Sequence, residues 1–255
     1  MVEIKTEAEL AVMREAGRVV ATTLQTVKEA AEIGVSLLEL DEIAAQCMRG
    51  AGAKPSFFGY QPRSAPTPYP NVLCVSVNDV VVHGIPTPYR IQDGDLVSVD
   101  CGAILDGWNG DAAISFVVGR ADPKDLELIA ATERALEAGI AAAQPGAKLG
   151  DISAAIGASV RASGFALMAD HGGHGIGRAM HEDPHLPNEG RAGRGMRLKP
   201  GLALAIEPML IAGGTDAYRY AEDGWSILTV DGSRAAHVEH TIAVTEDGPR
   251  VLTVR

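Results

Sequence analysis

The chain has 255 residues, 46% of them hydrophobic, and a formal net charge of −11. It can bury a large core, but it lacks the Lys/Arg excess that sequence-independent nucleic-acid binding needs. Three cysteines without close spacing (Cys47, Cys74 and Cys101) argue against a disulfide framework or a cysteine zinc site and suit a reducing cytosol.

The opening MVEIKTEAELAVM is charged and has no apolar signal core, and no later apolar run reaches the roughly 18 residues of a membrane helix. A cytoplasmic chain without a membrane segment is expected. Thr6 with Glu9 and Ser36 with Glu39 read as capping boxes that start helices over 6–31 and 37–50. A strand pair over 72–82 turns near Asn78-Asp79. Residues 95–119 read as two strands turning at Asp106-Gly107. Asp122-Pro123 starts a third helix, with proline at its favoured first position. That helix ends by Pro145-Gly146, and a fourth covers 149–163. The last third reads as strands over 201–210, 224–230 and 237–245.

The halves repeat one order: helix, Gly, helix, Gly, strands. Gly34 and Gly146 follow the first helix of each half, Gly52 and Gly164 the second, both pairs 112 residues apart. The strands carrying Asp100 and Glu207 lie 107 apart. These spacings predict an α+β fold, duplicated and pseudo-symmetric, with helices outside an antiparallel sheet.

Successive strand residues face opposite ways. In LVSVDCG, Asp100 shares a face with Ser98 and Gly102, against Val97, Val99 and Cys101. In DAAISFV, Asp111 shares a face with Ala113 and Ser115. In LALAIEP, Glu207 falls with Ala203 and Ala205, against Leu202, Leu204 and Ile206. Glu239 shares its face with His237 and Thr241. Each acid has small neighbours and an apolar opposite face, so each is expected inside, where an unpartnered carboxylate is costly. Arg and Lys are scarce beside them. Four converging carboxylates would repel, and two divalent metals would neutralise them. Oxygen donors with one imidazole suit Mn, Fe, Co or Zn.

The stretch from His171 to His185 holds four of the seven histidines (His171, His174, His181, His185) among glycines. One histidine is expected to ligate and others to act on substrate, with glycines allowing close backbone approach. The glycines argue against a helix aligning His171 with His174. His185, His237 and His240 are expected to be structural imidazoles.

Several segments then carry a resemblance: Asn78-Asp79-Val80-Val81-Val82-His83-Gly84-Ile85-Pro86, Val99-Asp100-Cys101-Gly102, Gly107-Trp108-Asn109-Gly110-Asp111, Gly172-Gly173-His174-Gly175-Ile176-Gly177, Met180-His181-Glu182-Asp183-Pro184, Ile206-Glu207-Pro208 and Glu239-His240-Thr241. In that order the chain resembles a type I methionine aminopeptidase of the short bacterial kind, from about residue 3 to its end. The resemblance implies the pita-bread fold, one catalytic domain over 1–255, and two divalent metal ions. It implies Asp100 on the first ion, Asp111 and Glu239 bridging both, and His174 and Glu207 completing the second. It implies that His83 and His181 contact substrate without ligating, and that Glu207 shuttles a proton. Tyr60, Tyr69, Cys74 and Trp225 would form the methionine slot. The implied partners are nascent polypeptide N-termini, met at the ribosome by a monomer that has no N-terminal extension. Two features depart from the family. Met180 stands where many relatives have Phe, and the Gly59–Pro70 loop is stretched and carries four prolines, which leaves the rim of the slot open. The rival readings are a proline-directed peptidase of the same fold and a non-catalytic peptide-binding relative. The first usually carries a sizeable N-terminal domain, and the second should have lost ligands.

Overall fold

The computed structural model describes residues 2–63 and 65–255; Ser64 of the Pro-rich loop and Met1 lie outside the described residues. The first half comprises α1 (Glu7–Ala30), α2 (Leu37–Gly50), β1 (Lys54–Pro55), β2 (Leu73–Val77), β3 (Val80–Val82), β4 (Leu96–Leu105) and β5 (Trp108–Val117). The second comprises α3 (Pro123–Ala142), α4 (Leu149–Ser163), β6 (Ala166–Leu167), β7 (Gly172–Gly175), β8 (Glu182–Pro187), β9 (Ala203–Ile206), β10 (Met209–Ile211), β11 (Tyr218–Tyr220), β12 (Ile227–Thr229), β13 (Ala235–His237), β14 (Glu239–Thr245) and β15 (Gly248–Val251). Both capping boxes form. The Thr6 N–H donates to the Glu9 carboxylate at 2.8 Å, and Glu9 N–H donates back to Thr6 Oγ1 at 3.3 Å. Ser36 and Glu39 repeat the exchange. These bonds satisfy donors that a helix start leaves orphaned.

Among the described residues the main sheet has nine strands, ordered β1-β4-β5-β14-β9-β7-β8, with β2 also on β4 and β15 on β14. Its ladders are antiparallel. The bulky faces read from the sequence lie under the helices. Val97, Val99 and Cys101 pack with Val20, Leu24 and Leu40 of α1 and α2. Leu204 and Ile206 pack with Leu128, Ile152 and Ile156 of α3 and α4. Two helix pairs thus cover one side of the sheet, and the small-residue side is left for the acids. No helix among the described residues is long and apolar enough to cross a membrane.

The duplication is visible bond by bond. Gly34 N–H donates to Ile91 O at 2.8 Å, and 112 and 107 residues on, Gly146 N–H donates to Leu198 O at 2.9 Å. Arg90 caps Gly34 O at 2.7 Å as Arg197 caps Gly146 O at 2.8 Å. The register of β1 on β4, Lys54 opposite Ile104, returns at the same offsets as Ala166 of β6 opposite Ile211 of β10. Gly34 and Gly146 both hold left-handed backbone, φ +92° and +87°, which glycine adopts without a side-chain penalty.

Four expectations change, the first being that the strand over 237–245 breaks at Val238, so that His237 ends β13 in a three-stranded sheet and Glu239 begins β14 in the main one. The strands over 72–82 do not pair with each other: β2 joins β4, while β3 joins β12 in a separate sheet. The strand over 201–210 breaks at Glu207-Pro208 into β9 and β10, because Pro208 has no N–H to continue a ladder. Glu207 therefore sits at a strand break and not within a strand. Residues 224–230 contribute only Ile227–Thr229. Short strands at β1, β6, β7, β8, β11 and β15 went unpredicted, since glycine, proline and brevity hide their alternation.

Candidate active site

The register of three adjacent strands sets the floor of the site. Asp100 of β4 lies opposite Ala113 of β5, and Ala113 lies opposite Glu239 of β14. The two carboxylates flank an alanine methyl, which leaves the space between them open. Asp111, two residues before Ala113, points to the same face. Thr241 fixes this strand crossing: its hydroxyl donates to Asp111 O at 2.7 Å and accepts from Asp111 N–H at 3.0 Å. One strand further on, Ala205 pairs with Thr241 on one side and with His174 of β7 on the other.

The glycines around His174 now have a physical reason. A Cβ on Gly172, Gly173 or Gly175 would overlap the backbone of Leu186, Ala205 or Asp183. They allow β7 to sit tightly between β8 and β9, so the close backbone approach that they permit is to the neighbouring strands. As expected, there is no helix here.

Every site residue expected from the sequence lines one cavity of about 350 Å³: Asp100, Asp111, His174, Glu207 and Glu239, with His83 and His181, and with Tyr60, Tyr69, Cys74 and Trp225. Among the described residues, no Lys or Arg lines it. Single ligand atoms of Asp111, His174 and Glu239 fall within 4.8 Å of one another, as do those of Glu207, His237 and Glu239. Asp100 Oδ1, Asp111 Oδ1, Glu239 Oε1 and His237 Nε2 are buried without a hydrogen-bond partner. Such orphaned oxygens are expensive unless a cation meets them, so the donor set fits divalent metal ions.

Electrostatics point the same way. Burial, with Glu207 nearby, pushes Asp111 up to about 8. Burial alone takes Glu207 to about 8. Burial and the neighbouring acids hold Asp100 and Glu239 well above the usual carboxylate range. Burial drops His174 to about 3, leaving it neutral, and a ligand imidazole must be neutral. His83, at about 3, and His181, at about 4, are neutral for the same reason. Each presents an N–H rather than a charge near pH 7.

The histidines form a ladder from floor to wall. The His174 and His181 rings are 4.1 Å apart, and the Tyr60 ring stacks on His181 at 5.2 Å. His83 holds left-handed backbone, φ +59°, which non-glycine residues adopt only where their surroundings insist. Gly84 supplies that constraint by lying against the Val75 carbonyl, where no Cβ fits. In the wall, the Tyr69 hydroxyl lies 3.0 and 2.9 Å from the carbonyls of Leu73 and Gly84, so its ring is fixed. The stretched loop keeps both tyrosines on the cavity because its ends pair: Tyr69 N–H donates to Tyr60 O at 2.8 Å, and Gly59 N–H to Tyr69 O at 2.8 Å. Trp225 Nε1 ties to Thr67 O at 3.1 Å.

Phe57, Pro62 and Met180 complete the wall; of these the sequence had pointed only to Met180. His237 is the larger omission. The sequence reads it as a structural imidazole, yet its Nε2 lies 3.4 Å from Glu207 Oε2 and 3.8 Å from Glu239 Oε2. The signal was its place two residues before Glu239 on a shared face. His240 is structural, bonded to Thr253 Oγ1 at 2.8 Å. His185 is exposed opposite His174 on β8, and His171 packs edge-on against Tyr218.

Residues 11–246 match metallopeptidase family M24. The chain is 51% identical to methionine aminopeptidase 1 of Mycobacterium tuberculosis, over 98% of this chain and 94% of that one. It is 44% identical to methionine aminopeptidase 1 of Bacillus subtilis, over 99% of each. The crystal structure of methionine aminopeptidase from Thermotoga maritima matches with a TM-score of 0.95 at 41% identity, over 100% of both chains. The duplicated, helix-covered sheet is the pita-bread architecture expected from the sequence.

Proposed function

The chain belongs to metallopeptidase family M24, among its methionine aminopeptidases, and we propose that this cavity removes the N-terminal methionine from nascent proteins and peptides with a small second residue. The reading rests above all on four buried carboxylates, three of them (Asp100, Asp111 and Glu239) with an oxygen left unpartnered, which share with His174 a cavity that no Lys or Arg lines among the described residues.

Two divalent ions would be held by Asp100, Asp111, His174, Glu207 and Glu239, whose oxygen and imidazole donors fit them. Co, Mn, Fe and Zn all suit these atoms. When bound, such ions supply Lewis acidity and lower the proton affinity of water toward neutral pH. The chain's own groups do the rest. Glu207 carries a proton to the leaving amine. His181 donates an N–H to the carbonyl oxygen as it gains charge. His83 holds the scissile amide. Tyr60, Tyr69, Cys74 and Trp225, with Phe57 and Met180, enclose the methionine side chain, where thioether–aromatic contacts favour sulfur. The whole of residues 1–255 acts as one catalytic unit, a cytoplasmic monomer that meets its substrates as they leave the ribosome.

The test is release of free methionine from Met-Ala-Ser by metal-stripped protein, before and after Mn²⁺ or Co²⁺, with acetyl-Met-Ala-Ser alongside. Metal-dependent release from the free peptide alone is expected, and His174→Ala abolishes it. No release by folded protein with any metal overturns the reading.

A further inference from the structure

His237 ends β13, opposite Met209 of β10. Its backbone is held on both sides by Ser115, and its N–H also reaches Ser98 Oγ at 3.4 Å. Its N–H donates to Ser115 Oγ at 3.1 Å, and its carbonyl accepts from the same hydroxyl at 2.8 Å. Ser115 in turn meets Ser98 Oγ at 2.7 Å, so β13 is anchored to both β4 and β5. The residue is only 2% exposed. Its Nε2 has no hydrogen-bond partner, and the nearest acceptor described for it is Glu207 Oε2, at 3.4 Å.

The other oxygen of Glu207 faces a different imidazole, with Oε1 3.6 Å from His174 Nε2. The carboxylate is thus bracketed, one ring to each oxygen. Its backbone is already held, because Asn188 Nδ2 donates to Glu207 O at 3.0 Å and Pro208 follows. What remains free is rotation about the side chain's own bonds, and the terminal carboxylate torsion has a broad, shallow preference. An N–H aimed at Oε2 removes that freedom. The 3.4 Å contact is about 0.4 Å longer than an ordinary N–H···O bond, a gap that a small carboxylate turn closes.

We propose that His237 is a positioning residue for Glu207: its Nε2–H holds Oε2 so that Oε1 is presented beside His174. This rests on the reading of Glu207 as a metal-holding acid. Partners of ligating carboxylates orient the ligand, and their loss typically costs about 10- to 100-fold in metal affinity or activity. The assignment differs from that of a direct ligand in one testable respect. Glutamine can place an amide N–H where imidazole Nε2 stands, but it is a poor metal ligand.

The experiment compares full-length wild type, His237→Leu and His237→Gln. Metal-stripped protein is titrated calorimetrically with Mn²⁺, and kcat and KM are measured on Met-Ala-Ser. His237→Leu is expected to weaken Mn²⁺ binding at one site, and to lower kcat, by about 10- to 100-fold, with KM within about threefold of wild type. His237→Gln restores both to within about threefold of wild type. If the leucine variant does not fold, His237→Asn, polar but too short to reach Oε2, takes its place with the same expected losses. A leucine or asparagine variant that binds Mn²⁺ like wild type overturns the proposal. A glutamine variant as impaired as the leucine one also overturns it, in favour of direct ligation or packing. Wild-type protein that binds no Mn²⁺ overturns the metal reading and this inference together, whereas binding by wild type and leucine variant alike overturns this one alone.

Discussion

On the cavity floor, Asp100, Asp111 and Glu239 stand on three adjacent strands whose register gives each acid one possible face. On the wall, Tyr60, Tyr69 and Trp225 are held by a loop closed through the Tyr60–Tyr69 backbone bonds and the Trp225–Thr67 contact. The floor is assembled by long ladders with helices behind them, and its side chains are acids kept out of water, where ionisation is costly. The wall is assembled by a few local bonds, and its side chains are apolar and at home where they lie. A floor of this kind stores unfavourable electrostatics that a bound cation relieves. The wall stores none. Changes to the floor should therefore be large and metal-dependent, and changes to the wall modest and substrate-dependent.

The largest expected effect follows from removing metal and varying pH. Asp111 and Glu207 rise to about 8 in the folded chain, and Asp100 and Glu239 rise well above their ordinary values. Their unfolded values are near 4. Between about pH 4 and 8 the folded metal-free protein therefore holds more protons than the unfolded chain, and its stability falls as pH rises. Each such carboxyl removes about 1.4 kcal/mol per pH unit within its window. Thermal unfolding of metal-stripped protein should show Tm dropping by roughly 5 °C or more from pH 6 to 8. With saturating Mn²⁺ the trend reverses, because the ion displaces the same protons. A metal-free Tm that is flat over this range would show that the floor stores no such repulsion.

Ala113 gives a sharper and more local probe. Its methyl sits between Asp100 and Glu239 in the three-strand row. Ala113→Val keeps a strand-favouring residue but fills the gap the two carboxylates share. Methionine release should fall by about 100-fold, with weakened Mn²⁺ binding in calorimetry. Ala113→Ser, little larger than alanine, should stay within about tenfold of wild type in the same assay. A valine variant with wild-type activity would mean that the spacing of the acids does not depend on this row.

The same contrast governs what could be read in advance. Helices α1, α2 and α4 end within a residue of where caps and glycines placed them, because capping chemistry is local. The acids were legible because alternation assigns each to a face, and a charge among alanines and glycines stands out against that pattern. Pairing was less legible. β2 and β3 look like a hairpin, but Gly84 and the left-handed His83 turn the chain so that β3 joins β12, about 150 residues away. Glu207 looked like a strand residue until Pro208 broke the ladder. Alternation puts His237 on the face of Glu239 but says nothing of Glu207. Only the fold brings it to within 3.4 Å of Glu207. The wall was read through resemblance, and Phe57 and Pro62 carry no local signal that marks them as its members.

Trp225 tests the other side of the comparison and should show the smallest effect. Its ring meets Tyr69 edge-to-face at 5.1 Å, and its Nε1 secures Thr67 of the loop. Trp225→Ala removes one aromatic surface from the methionine slot and one tether from the rim, and touches no acid. An aromatic–thioether contact contributes about 0.3–1.5 kcal/mol, which corresponds to about a 2- to 12-fold change in binding. KM for Met-Ala-Ser should rise by that factor while kcat and Mn²⁺ affinity stay close to wild type, since what is lost is held equally in ground and transition states. Trp225→Phe should recover most of KM, because it retains the ring but not the N–H. A fall in kcat or in Mn²⁺ affinity matching that of the Ala113→Val variant would show that floor and wall are mechanically one unit, with the loop reaching through Tyr69 and Gly84 to the strands that carry the acids.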